Sequence, residues 1–262
     1  MDAEAELWVV RTGQVPYDHA RKAQKALEHA RFCDELPDLL LLLEHPPVYT
    51  KGRRSTAGEL PMGEDWYRMQ GIDVADTDRG GRVTYHGPGQ LVGYPIVSLR
   101  PYGDDVHVYV RRMERVMIAA LGDWGIGAGP IEGLTGVWTE GARPDQVPQP
   151  DPSGALPSAA RKIGSIGVHV NRSITTHGFA VNVSNDLQPF EWIVPCGIES
   201  CRMTSVTREL GSAADLDEFA TTVRDRFAEI YERRPIEVSP ARLSELVEGA
   251  EALTAAMPAA VR

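Results

Sequence analysis

The sequence predicts a mixed α/β protein, a mixed β-sheet flanked by helices, and three observations predict it. Apolar residues recur at three- and four-residue steps in three separate stretches, the signature of amphipathic helices. Short β-type runs broken by glycine fill the chain between Ile72 and Leu99. The unbroken run Leu39 to Leu43 reads as a strand buried on both faces.

Taken in order, a strand around Leu7–Val10 precedes a helix whose stripe is Tyr17, Ala20, Ala23, Leu27 and Ala30. Cys33, three residues further along that stripe, is expected in the core. Pro37 ends the helix, and the leucine strand follows. Val106, Val110, Met113, Met117 and Ala120 mark a second helix, and Leu216, Phe219, Val223, Phe227 and Ile230 a third. Val137–Trp138, Ile163–Val170 and Phe179–Val183 read as strands. The segment between Gly141 and Ala160, rich in Pro, Gly, Ser, Asp and Gln and without periodicity, is expected to be a mobile surface loop. A fourth helix is expected in the Ala-rich tail from about Leu243. Residues 1–235 are therefore read as a single catalytic domain and 236–262 as a helical tail.

With 262 residues, 42% hydrophobic and 24% charged, the chain can bury an ordinary globular core. Its formal net charge of −10 argues against nucleic-acid binding, which needs a surplus of Lys and Arg. No apolar run approaches the ~20 residues of a bilayer span. The acidic start Met1-Asp2-Ala3-Glu4 is unlike a signal peptide, and three cysteines make an odd count. A cytoplasmic protein with free thiols is the expectation. There is no phosphate-binding loop, no His-Glu-x-x-His zinc helix and no Gly-x-Ser-x-Gly elbow. Gly125-Ile126-Gly127-Ala128-Gly129 imitates a dinucleotide fingerprint, but Pro130 occupies its end and no helix follows. No metal and no cofactor is expected.

Two segments carry chemistry. In Arg79-Gly80-Gly81-Arg82-Val83-Thr84-Tyr85-His86-Gly87-Pro88-Gly89-Gln90, five of twelve residues are Gly or Pro. Such a stretch is either a pair of β-turns or a backbone that something approaches closely. The Arg, Thr, Tyr and His between the glycines are polar groups that a structural turn does not require. In Ile193-Val194-Pro195-Cys196-Gly197-Ile198, the glycine leaves room beside a thiol. A free thiol is only a few per cent thiolate at pH 7, so a reactive one needs a cation, and Lys162 is a candidate. The alternative is a cysteine that serves as a small buried hydrophobe. His177 reads either as a hydrogen-bonded structural residue or as the partner of a cysteine.

The ordered blocks Glu44 to Thr50, Arg79 to Gln90, Thr135-Gly136-Val137-Trp138, Lys162 to Gly167, His177 to Ala180 and Pro195 to Ile198 closely resemble the octanoyltransferases of lipoate biosynthesis, over about residues 40 to 210. The resemblance implies the fold of biotin and lipoate protein ligases. It implies transfer of an octanoyl group from acyl carrier protein through a cysteine thioester to a lysine of lipoyl domains, in 2-oxoacid dehydrogenase complexes and in glycine cleavage H protein, by a monomer that binds neither nucleic acid nor membrane. Cys196 stands at the nucleophile's position and Lys162 at that of its activating lysine. Arg79, Gly80, Gly81, Arg82, Val83, Thr84, Tyr85 and His86, with Ser165, Ile166, Gly167, Gly178, Phe179 and Ala180, stand at substrate-binding positions. Because acyl carrier proteins are acidic, Lys51, Arg53, Arg54, Arg79 and Arg82 are the candidates for a docking patch.

Overall fold

The structure, a computed structural model, describes residues 5–141, 159–194 and 201–254. Cys196 and residues 142–158 of the expected loop lie outside the described residues.

Eight strands form one mixed sheet in the order β11-β1-β2-β6-β10-β9-β8-β7. These are β1 (Glu6–Gln14), β2 (Asp38–Glu44), β6 (Gln90–Ile96), β7 (Gly127–Ile131), β8 (Leu134–Gly141), β9 (Arg161–Asn171), β10 (Ile174–Asn182) and β11 (Arg234–Glu237). Strand β1 runs parallel to β2 and β11, while the pairs from β2 to β7 are antiparallel. Helices α3 (Val106–Asp123) and α5 (Leu216–Tyr231) cover one face; α1 (Tyr17–Phe32) and the short α6 (Pro240–Leu246) cover the other.

The leucine run explains itself in this arrangement. Strand β2 lies between β1 and β6 with a helical layer on each side, so Leu39 to Leu43 are all buried and do not alternate. Each such side chain contributes about 1.5–3 kcal/mol on leaving water. Asp105 and Asp215 start α3 and α5 by accepting hydrogen bonds from two backbone N–H groups each, worth about 1 kcal/mol per cap. Leu243, Val247, Ala250 and Leu253 of the tail join the core beneath α1.

A second sheet, β4 (Asp73–Asp76), β3 (Val48–Lys51) and β5 (Thr84–His86), carries its own aromatic cluster of Tyr49, Tyr67, Tyr85 and Phe190. Tyr49 Oη donates to Pro189 O at 2.7 Å and Tyr67 Oη to Trp192 O at 2.7 Å. These bonds seat the segment that leads into Pro195-Cys196-Gly197.

Five elements go beyond the sequence expectations: β3, β7, β11, α2 (Glu64–Met69) and α4 (Val206–Leu210). Strand β7 is Gly-Ala-Gly-Pro-Ile and β11 is Arg-Pro-Ile-Glu; both lie at sheet edges, where proline is tolerated and β-propensity is weak. The glycine run that imitates a nucleotide motif leads into and forms edge strand β7. Cys33 is exposed, against the core expectation, because α1 ends at Phe32 and the turn carries the thiol off the stripe.

Candidate active site

A cavity of about 400 Å³ opens where β9, β10, the Arg79–Arg82 loop and the Gly133–Thr135 turn meet. Its wall includes Arg79, Gly80, Gly81, Arg82, Thr84, His86, Lys162, Ser165, Ile166, Gly167, Gly178, Phe179 and Ala180, all candidate site residues of the sequence. Val83 and Tyr85 are buried and point instead into the aromatic cluster of the small sheet, because alternate residues around β5 face opposite ways. Tyr17, Arg54, Tyr94, Val110, Gly133, Leu134, Thr135, Val168 and His177 complete the lining. Of these, Thr135 and His177 belong to blocks already singled out, whereas Tyr17 and Val110 sit on helix stripes indistinguishable from core positions.

Glycine makes the close approaches possible. Gly80 N–H donates to Val168 O at 2.8 Å, laying the loop on β9. A Cβ at Gly167 would stand 2.9 Å from Arg79 Cδ and 3.0 Å from Gly80 O, so a side chain there would lift the loop away. The Arg79 guanidinium is buried and turned inward: Nη2 donates to Thr50 O and Thr50 Oγ1, both at 2.7 Å, and Nη1 to Gly80 O at 3.0 Å. Arg82 Nη1 donates to the buried carboxylate of Glu59 at 2.5 Å, whose other oxygen accepts from Val83 N–H at 3.1 Å. The backbone carbonyl of Glu59 accepts from Val194 N–H at 3.2 Å, two residues before Cys196.

Polar rings close the side toward α1. His86 Nδ1 lies 2.6 Å from Gln90 Oε1, and Gln90 Nε2 is itself a donor to Tyr85 O and Asn182 Oδ1. His86 therefore donates through Nδ1, which leaves Nε2 as the acceptor in the neutral ring. Burial holds the His86 pKa well below that of a free histidine, with the Arg79 guanidinium pushing the same way. His45 is fixed between Val15 O at 2.6 Å and Tyr94 Oη at 2.7 Å, and burial lowers it to about 4. His177 adopts a left-handed backbone, φ +57°, unusual for a residue with a side chain. Its N–H donates to Gln24 Oε1 at 2.6 Å and its Nε2 lies 2.8 Å from Asp78 Oδ1. Burial lowers His177 although Asp78 opposes the shift, whereas His177 and Lys25 hold the Asp78 carboxyl far below the usual carboxylate range. This bond ties the glycine loop to β10.

Lys162 begins the cavity's other end and is buried, 3% exposed. Its N–H donates to Arg202 O at 2.8 Å, and its carbonyl accepts from Thr204 N–H at 2.9 Å. Glu209 reinforces this clamp. It takes both Nε and Nη2 of Arg161 at 2.8 Å and the Thr204 hydroxyl at 2.5 Å. Among the candidate docking cations, Lys51 is paired with Glu64 and Asp76, Arg82 with Glu59, and Arg79 is internal. Arg53 and Arg54 are exposed and have no ion pair among the described residues. No group of three or more His, Cys, Asp or Glu that could hold a metal ion occurs among the described residues. No helix there is long and apolar enough to cross a membrane.

Comparison with known proteins places this geometry in a family. Residues 16–228 match the lipoyl protein ligase A/B catalytic domain. An octanoyltransferase of Koribacter versatilis is 40% identical, the match covering 97% of this chain and 95% of the relative. One from Mycobacterium tuberculosis is 45% identical over 82% of this chain and 83% of its own, and one from Streptomyces coelicolor is 38% identical over 90% and 100%. Among solved structures, a bi-partite lipoate protein ligase of Thermoplasma acidophilum superposes with a TM-score of 0.67 at 19% identity, covering 95% of this chain and 90% of that one. A lipoate-protein ligase A bound with ATP gives 0.63 at 16% identity, covering 97% and 95%. These two show the same fold. The chain belongs to the lipoyl protein ligase A/B catalytic domain family and, within it, to the octanoyltransferases.

Proposed function

We propose that this protein moves an octanoyl group from acyl carrier protein to the ε-amine of a lysine on lipoyl domains, those of 2-oxoacid dehydrogenase complexes and glycine cleavage H protein. Cys196 is the nucleophile and Lys162 its proton partner, in a catalytic domain of residues 1–235 that works as a monomer in the cytoplasm. The observation that carries this reading is Lys162 itself. A buried lysine lines a cavity of the right kind for a medium acyl chain, and its backbone is bonded to Arg202, six residues beyond Cys196. Six residues of chain reach about 20 Å at most, and the Val194–Glu59 bond tethers the segment from its other side.

The chemistry balances without a further reagent. The Cys196 thiolate attacks the thioester carbonyl; a new C–S bond forms, the bond to the pantetheine sulfur breaks, and the Lys162 ammonium protonates the departing thiolate. The neutral Lys162 amine then takes the proton from the acceptor lysine as that amine attacks the acyl-enzyme. An amide forms and the cysteine leaves as thiolate. Because the donor is already an activated ester, the energy for the amide comes from the thioester. Mixing the enzyme with octanoyl-acyl carrier protein and digesting it should give a peptide carrying one octanoyl group on Cys196. A peptide left unmodified with donor in excess and no acceptor present would refute the covalent route.

Two predictions attach to the site. Arg54 lines the cavity and Arg53, its neighbour in the chain, is likewise exposed, so the pair fits an acidic carrier. Arg53→Gln with Arg54→Gln is expected to raise the donor KM about tenfold at low salt, the effect shrinking with added salt; an unchanged KM at low salt counts against docking there. Phe179 lines the cavity with its ring directly over Gly93 on β6, where a Cβ would overlap the ring. Gly93→Ala is expected to push the ring into the cavity and shift preference from octanoyl toward shorter donors, read as the ratio of kcat/KM for octanoyl and hexanoyl carriers. A constant ratio would show that the ring relaxes elsewhere.

A further inference from the structure

The block Thr135-Gly136-Val137-Trp138 stands out in the sequence, and nothing so far gives it a task. In the fold it runs along β8 beside Lys162, with the register slipping between Val137 and Trp138. Gly136 has φ +127°, and a Cβ there would stand 2.7 Å from Lys162 Cε and 2.6 Å from Gly164 O. The missing side chain is thus the slot that the lysine stem fills. Trp138, fully buried, presents its ring 5.4 Å from Lys162 Nζ, within the range at which an ammonium is attracted to an aromatic face. The indole Nε1–H donates to Leu134 O at 3.4 Å, which orients the ring.

The slot is itself tied down. Gly136 N–H donates at 3.2 Å to Oε1 of Glu114, a carboxylate on α3 that is 2% exposed. Its other oxygen accepts from Arg111 Nη1 at 2.8 Å. A buried carboxylate is costly in a helix packed against the sheet unless its bonds do something there. One of them holds the backbone that shapes the lysine slot.

We propose that Glu114, Gly136 and Trp138 are positioning residues that aim the Lys162 ammonium into the cavity: Gly136 vacates the space for the stem, Glu114 pins that backbone, and the Trp138 ring holds the charged end. The proposal rests on the reading in which Lys162 serves Cys196. None of the three residues is part of the cavity lining.

Fluorinated tryptophans placed at position 138 test the ring's part, because fluorine drains the π face while nearly preserving shape. With the full-length enzyme and octanoyl-acyl carrier protein, the single-turnover rate of Cys196 acylation is expected to fall stepwise, at least tenfold from the unsubstituted to the tetrafluoro ring, with donor KM and Tm unchanged. A rate indifferent to fluorination overturns the proposal. Glu114→Leu, which removes the acceptor, is expected to lower the same rate at least tenfold, and Glu114→Gln, which keeps an acceptor for Gly136 N–H, to restore it to within threefold. Equal rates in wild type and Glu114→Leu overturn Glu114's part; if that variant does not fold, the fluorination series decides. Absence of any Cys196 adduct in the wild-type enzyme would instead refute the underlying covalent reading.

Discussion

Serine at position 196 is expected to leave no detectable octanoyl transfer, and methionine at position 162 to lower kcat about 10³-fold. The first follows from acidity: a hydroxyl is far less acidic than a thiol, so an ammonium that stabilises a thiolate leaves the serine protonated and no acyl-enzyme forms. The second removes the group that supplies and accepts the proton in both half-reactions, a contribution typically of 10²–10⁴. Methionine is chosen because Lys162 is buried, so its stem packs in a slot that an apolar chain of similar length still fills. Tm should therefore change little, and the loss should lie in kcat while donor binding persists. Cys33 supplies the control: it is exposed at the end of α1, remote in the fold from the cavity lining, and Cys33→Ser is expected to retain full activity. Transfer by Cys196→Ser at more than a few per cent of the wild-type rate would remove the covalent mechanism.

The second large effect is on stability. His45, His86 and His177 are all buried, and each has its pKa lowered chiefly by burial, His45 to about 4. Below the ordinary histidine pKa of about 6.5, the unfolded chain binds protons that the folded chain refuses. Their contribution is thus complete above about pH 6.5 and is lost as pH falls. From pH 7.5 to 5.5 His45, at about 4 in the folded protein, should cost about 1.3 kcal/mol, and His86 and His177 act in the same direction. Asp78, whose carboxyl is held low chiefly by the bond from His177, adds its own loss only at more acid pH. Urea unfolding at pH 7.5, 6.5 and 5.5 reads the slope. His45→Gln, which can still donate to Val15 O and accept from Tyr94, should remove about 1.3 kcal/mol of the loss over this range; a stability profile that is level across it would show that the rings titrate in the folded protein as they do in the unfolded chain.

These histidines also show where sequence reasoning stops. All three belong to recognisable blocks, yet nothing in Glu44-His45-Pro46-Pro47 signals that His45 meets Val15 and Tyr94. Burial is a property of the assembled layers, and the pKa follows burial.

Local sequence was enough for the helices and central strands. Period 3.6 in α1, α3 and α5, and five successive leucines in β2, are patterns that short-range sterics and a need to bury one face make legible. The glycine-rich loop stood out likewise, because its Arg, Thr and His are polar groups that a structural turn does not require, and in the fold these line the cavity with Lys162. What the chain could not disclose was meeting. Arg79 and Arg82 are both basic on paper, yet one turns inward to Thr50 and the other is clasped by Glu59, leaving Arg53 and Arg54 outside. Gly136 is one glycine among many until β8 lies beside β9 and its missing Cβ becomes room for a lysine. Local sequence settles periodicity and chemistry because these depend on neighbours a few residues apart; only the folded sheet decides which side chains share a cavity, since that depends on strands brought together across loops of any length.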